Sequence, residues 1–141
     1  MAMDEQSEQP MAQALVICDQ IIEEAGTQKK SLIGIFNNIF ASTFPVQHPK
    51  MCIYASLTNG RGRVKIELRG VRVGDEGSDD KQFLSVSGTI AFPDPNQVVE
   101  MVFNLVGVPF ERAGLHTFEL HCEGNLLLEK RFNVTELKKP S

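Results

Sequence analysis

Residues 109–134 read PFERAGLHTFELHCEGNLLLEKRFNV, and the middle of this stretch decides the fold. From Thr117 to Cys122 every second residue is apolar. Phe118, Leu120 and Cys122 share one face, while Thr117, Glu119 and His121 share the other. Such alternation is the period of a strand with one buried side. Glu123-Gly124-Asn125 then supplies a tight turn, because Gly and Asn tolerate positive φ. The return strand, from Leu126 to Val134, sets Leu126, Leu128, Phe132 and Val134 on one face. A terminal hairpin follows, with Phe118 in the core.

The same period recurs upstream. Met51, Ile53, Ala55 and Leu57 alternate with Cys52, Tyr54, Ser56 and Thr58, and Asn59-Gly60 closes that strand. Val64, Ile66 and Leu68 alternate with Arg63, Lys65, Glu67 and Arg69 until the phase slips at Gly70, as at a β-bulge. Leu84, Val86, Ile90 and Phe92 form a further face, ended by Pro93-Asp94-Pro95-Asn96. Val99, Met101, Phe103 and Leu105 form the next, ended by Pro109. In the first third, Asp19 to Ala25 reads as a short helix ending at Gly26, or as the end of a long strand. Two long strands joined by a turn are preferred, since Ile and Val dominate both apolar runs. The expectation is an all-β, immunoglobulin-like antiparallel β-sandwich of about eight strands.

Composition agrees with one such domain. The 141 residues include 42% hydrophobic and 23% charged residues, and 14 Lys+Arg against 18 Asp+Glu give 14 − 18 = −4. The apolar fraction is too high for a disordered chain. No apolar run approaches the roughly 18 residues of a membrane helix. The acidic balance argues against generic nucleic-acid binding. The start, from Met1 to Pro10, is acidic and polar rather than a secretory signal. Residues 1–11 are expected to be a disordered tail, 12–135 a single sandwich domain, and 136–141 a C-terminal tail. Cys18, Cys52 and Cys122 are an odd, sparse set that suits reduced thiols in a cytoplasm.

Two resemblances bear on the reading. The stretch from Pro109 to Val134 resembles the last two strands of bacterial immunoglobulin-like sandwich domains. Gly114 stands for their pre-strand glycine, Phe118 and Leu120 for core residues, and Gly124 for the turn. His116 stands where such domains usually have a tyrosine that ties down the corner, and its ring nitrogen offers a similar bond. ALVICDQIIEEAG at 14–26, SLIGIF at Ser31 to Phe36 and PVQHP at Pro45 to Pro49 are similar to a family of small, uncharacterised bacterial proteins. That resemblance implies the fold and a bacterial cytoplasm, and no activity.

Candidate chemistry is sparse. His121 and Cys122 are strand neighbours pointing to opposite faces, His116 is in phase with the core, and His48 is placed in a loop, so no metal site is expected. There is no G-x-S-x-G elbow, and Cys52, in phase with Tyr54, is read as exposed but without a nearby cation to activate it. Asp75, Glu76, Asp79 and Asp80 form an acidic loop that lacks the spacing of a calcium loop. Arg61, Arg63, Lys65, Arg69 and Arg72 give residues 61–72 a charge of 5 − 1 = +4 with Glu67, provided a bulge at Gly70 returns Arg72 to the row. A solvated face that discourages edge pairing is the plainer reading of that row.

The expected function is therefore a non-enzymatic protein-interaction or structural module, without cofactor. Its surface would be the Phe36–Phe44 segment, with Phe40 and Phe44, or an edge strand, contacting another protein or a second copy. The alternative is a small-ligand or polyanion binder using the basic face Arg61–Arg72. Neither nucleic acid nor membrane is an expected partner.

Overall fold

The computed structural model describes residues 7–138 and, among them, ten strands and no helix. They are β1 (Ser7–Glu8), β2 (Met11–Glu23), β3 (Lys30–Ile35), β4 (Asn38–Ala41), β5 (Val46–Thr58), β6 (Arg61–Arg72), β7 (Lys81–Phe92), β8 (Val99–Phe110), β9 (Gly114–Cys122) and β10 (Asn125–Glu136). Sheet 1 runs β7-β6-β9-β10-β4, with β1 beside the start of β6, and sheet 2 runs β3-β2-β5-β8. All pairs are antiparallel except β4 with β10, which is parallel, so sheet 1 is mixed rather than wholly antiparallel. The expected tails at 1–6 and 139–141 lie outside the described residues. Residues 7–11, expected in the N-terminal tail, instead supply β1, the buried Pro10 and the first residue of β2.

The inner faces meet as alternation requires. Ile17, Ile53, Leu57 and Phe103 of sheet 2 face Ile66, Leu68, Phe118, Leu120 and Phe132 of sheet 1 in one cluster. Each such side chain contributes about 1.5–3 kcal/mol before the entropy of ordering the chain is set against it. Phe118 and Phe132 stack at 4.9 Å across β9 and β10. The first third is built of strands joined by turns: β2 runs to Glu23, and the short helix over Asp19 to Ala25 is not formed.

Several local expectations change. In the terminal hairpin Cys122 pairs with Asn125, so Glu123 and Gly124 make the turn, at φ 48° and 86°. Glu123 tolerates that conformation because its backbone N–H donates to the Lys65 carbonyl and its carboxylate accepts from the Lys65 N–H at 2.7 Å. Leu127 is an extra residue in β10, which leaves Leu126 opposite His121 and exposed, off the core face assigned to it. Strand β8 runs on through Pro109 to Phe110 and changes phase at Gly107 (φ 63°), turning Val108 and Phe110 inward. Pro109 is tolerated because β8 is an edge strand, where a missing N–H breaks no ladder. The register shift at Gly70 is real, but the extra residue is Phe83 on β7.

Candidate functional site

That displaced bulge decides where the basic residues go. Pairing of β6 with β9 is continuous from Ile66 to Arg72, so the alternation of β6 never resets. Arg61, Arg63, Lys65 and Arg69 lie on the outer face of sheet 1 with Glu67. Arg72 does not rejoin them; it falls in phase with Leu68 and Gly70, at the end of the sandwich beside His116. Nor is β6 an edge to be guarded, since β7 and β9 pair with it on either side. Within the row Arg69 lies 3.0 Å from Glu67, and the Ser85 hydroxyl donates to the same carboxylate at 2.7 Å. The Arg69 guanidinium, helped by Ser85, pushes Glu67 down to about 2. On β9, His121 Nε2–H donates to Glu119 at 2.9 Å. The outer face of sheet 1 therefore interleaves both signs.

The histidines and cysteines also move from their expected settings. His48 lies within β5, half-buried, its ring 5.9 Å from that of Phe36. His116 is 1% exposed and its Nδ1–H donates to the Gly114 carbonyl at 2.9 Å, tying the corner from within β9. Burial, with a smaller push from Arg72, holds its pKa below the usual 6.5. Cys18 and Cys52 are register partners on the face of sheet 2 that looks away from the core, yet both are buried. Cys52 is thus not the exposed thiol that its phase implies, and its S–H donates to Asn104 at 3.2 Å. Among the described residues no three His, Cys, Asp or Glu converge as metal ligands. In the acidic loop, Asp80 instead accepts the Gly74 N–H at 2.8 Å.

The β2–β3 hairpin explains the buried thiols. Pairing of β2 with β5 ends at Cys18 opposite Cys52, and β2 continues with β3 alone. Straight extension would carry the hairpin tip far from the start of β8. Instead Lys30 Nζ lies 3.3 Å from Glu23 and 2.9 Å from Glu100 on β8. The Tyr54 hydroxyl donates to the other oxygen of that same Glu100. The hairpin must therefore fold back over the outer face of sheet 2, covering Cys18, Cys52 and Ser56. The bend falls at Gly34 (φ 72°), against which Asp19 packs so closely that a Cβ would lie 2.4 Å from its carboxylate.

This fold-back leaves apolar side chains in solvent. Ile35 is 61% exposed, and Ile22 and Ile33, diagonal neighbours on one face of the hairpin, are each 45% exposed. In the Phe36–Phe44 segment only Phe40, at 58%, stands out from the surface; Ile39 is core, and Phe36 and Phe44 pack against it. A cleft of about 340 Å³, lined by Asp19, Gly34, Ile35, Phe36, Phe40 and His48, joins the hairpin to β4. Sequence reasoning missed Ile22, Ile33 and Ile35, because alternation shows which residues share a face but not that the ribbon will bend. The available signal was a β2–β3 ribbon with a glycine in mid-strand.

Comparison with known proteins adds the family and little else. No curated protein matches the sequence. Among solved structures, a β-glucosidase from Listeria innocua aligns with 94% of this chain at 9% identity and a TM-score of 0.48. β-Glucosidase 3B from Thermotoga neapolitana aligns with 79% at 13% identity and a TM-score of 0.41. The chain spans only 17% and 18% of those two proteins. The family of unknown function (DUF6941) matches residues 13–135, and the protein, which carries that domain over nearly its whole described length, belongs to this family.

Proposed function

We propose that the protein is a non-enzymatic interaction module that presents the back of its β2–β3 hairpin and the adjoining β4 edge to another protein. One observation carries this: Ile22, Ile33, Ile35 and Phe40 are large apolar side chains held in solvent on neighbouring elements. Exposed apolar groups gathered in one region mark contact surfaces more often than scattered single ones. A latched hairpin also presents them in a fixed conformation, which lowers the ordering cost of binding. The reading takes the domain as immunoglobulin-like and as working in a bacterial cytoplasm, where the three free cysteines would stay reduced.

Photo-crosslinking in the native host tests the proposal. A photoreactive residue at position 33 is expected to give a discrete protein adduct that survives high salt, of double mass if the partner is a second copy. The same residue at position 129, on the opposite sheet, should give none. Equal adducts at both positions, or none at 33, would overturn it.

A further inference from the structure

A second site lies between β7 and β8, at the edge of the sandwich opposite β3 and β4, and it goes beyond the interaction reading. Phe83, the extra residue of β7, swings inward over Gly70 and stands 5.3 Å from Phe110 and 5.6 Å from His116, ring to ring. Phe110 and His116 meet edge to face at 5.3 Å. These rings wall a cavity of about 160 Å³ whose rim carries Arg72, Lys81 and Glu111. An apolar cavity of roughly 150 Å³ is enough to admit benzene.

The rim is charged for an anion. Glu111 sits 3.5 Å from Arg72 and 3.0 Å from Lys81, its carboxyl held below the usual range chiefly by Lys81. Arg72, only 18% exposed along its side chain, has this long contact as its single ion pair among the described residues. A guanidinium has five donors, and among the described residues Arg72 directs a side-chain hydrogen bond to Glu111 alone. Inside, His116 has committed Nδ1–H to Gly114, so Nε2 is the nitrogen it offers a ligand, as an acceptor.

We propose that this cavity binds a monocyclic aromatic carboxylate, the ring packed against the wall formed by Phe83, Phe110 and His116 and the carboxylate on Arg72 and Lys81. Glu111 occupies the cations in the empty state and is displaced by the ligand. Planar, edge-to-face surroundings select an aromatic ring over an aliphatic chain. Two cations select the acid over its neutral analogue.

Titration with sodium benzoate, followed by amide NMR, tests the site. Saturable shifts are expected at Phe83, Phe110 and His116 with a Kd on the order of 0.1–1 mM, the range open to a ligand of this size. Benzyl alcohol and acetate should each bind at least about tenfold more weakly, the scale of one charge-assisted contact. Arg72→Met should weaken benzoate by a similar factor. If that variant fails to fold, Lys81→Met, at a side chain 58% exposed, carries the same test. Glu111→Gln should tighten binding, because the competing carboxylate is gone. Benzyl alcohol binding as well as benzoate, non-saturating shifts, or no gain from Glu111→Gln would each overturn the proposal. Substitutions at Ile33 or Ile35 leave this cavity untouched, so failure here and failure of the interaction reading are separable.

Discussion

The ring of Phe83 fills the space that a side chain at Gly70 would need: a Cβ on that glycine would stand 2.6 Å from Phe83 Cζ. A strand-interior glycine here is a packing requirement set by the strand opposite. Gly70→Ala should force the ring aside and lower stability by about 1–3 kcal/mol, the range for overpacking, in a thermal or denaturant melt. An unchanged melt would show that Phe83 does not rest there.

Phe118, fully buried and stacked on Phe132, should behave as a core residue, with Phe118→Ala costing roughly 3–5 kcal/mol. Leu126→Ala is the matched control. The extra residue Leu127 turns Leu126 out of the core, so its truncation should cost within about 0.5 kcal/mol. Equal losses at the two positions would contradict the bulge in β10.

His116 predicts how stability responds to acid. Folding lowers its pKa, so below the ordinary value of 6.5 the unfolded chain takes up a proton that the native chain resists. Stability is fully retained above that value and falls as pH drops through it. The depressed carboxylates Glu67, Glu100 and Glu111 lose their contributions only below their ordinary 4.5. Melts between about pH 7 and pH 5 should therefore fall in the wild type and fall less in His116→Gln. Parallel pH slopes would remove His116 as the cause.

The latch of Lys30 on Glu100 should control access to the thiols beneath the hairpin. Native protein is expected to resist alkylation at Cys18 and Cys52, both buried and, for Cys18, with burial pushing the thiol pKa up. Lys30→Met should speed alkylation of Cys52 several-fold while barely moving the melt, since partly exposed ion pairs contribute only about 0–1 kcal/mol. Rates unchanged from wild type would mean that the hairpin is held by its apolar contacts instead.

Much of this fold is written in the period of the side chains. Phe118 and Leu120, Ile53 and Leu57, Ile66 and Leu68 lie in the core as alternation requires, and His116 makes the expected ring-nitrogen bond, to the Gly114 carbonyl. What alternation does not encode is the partner across the sheet. The irregularity at Gly70 was legible from β6 alone, but its extra residue sits on β7, and that difference sent Arg72 to the cavity rather than to the basic row. Likewise Cys52 shares a phase with Tyr54, and only the returning hairpin buries it. The phase change at Gly107 needed both β5 and β8 to bend together. Elements with one regular face were readable; sites built by three or four strands were not.

The parallel join of β4 to β10 has a kinetic consequence. Asn38–Ala41 cannot find their neighbours until Asn133–Glu136 have been synthesised, so more than ninety intervening residues must leave the ribosome before sheet 1 can be completed. Contacts spanning so much sequence slow folding, and until they form, the backbone of β4 stays available to other nascent chains. Overexpression at lower temperature should therefore raise the soluble yield by giving this late closure time to outrun aggregation.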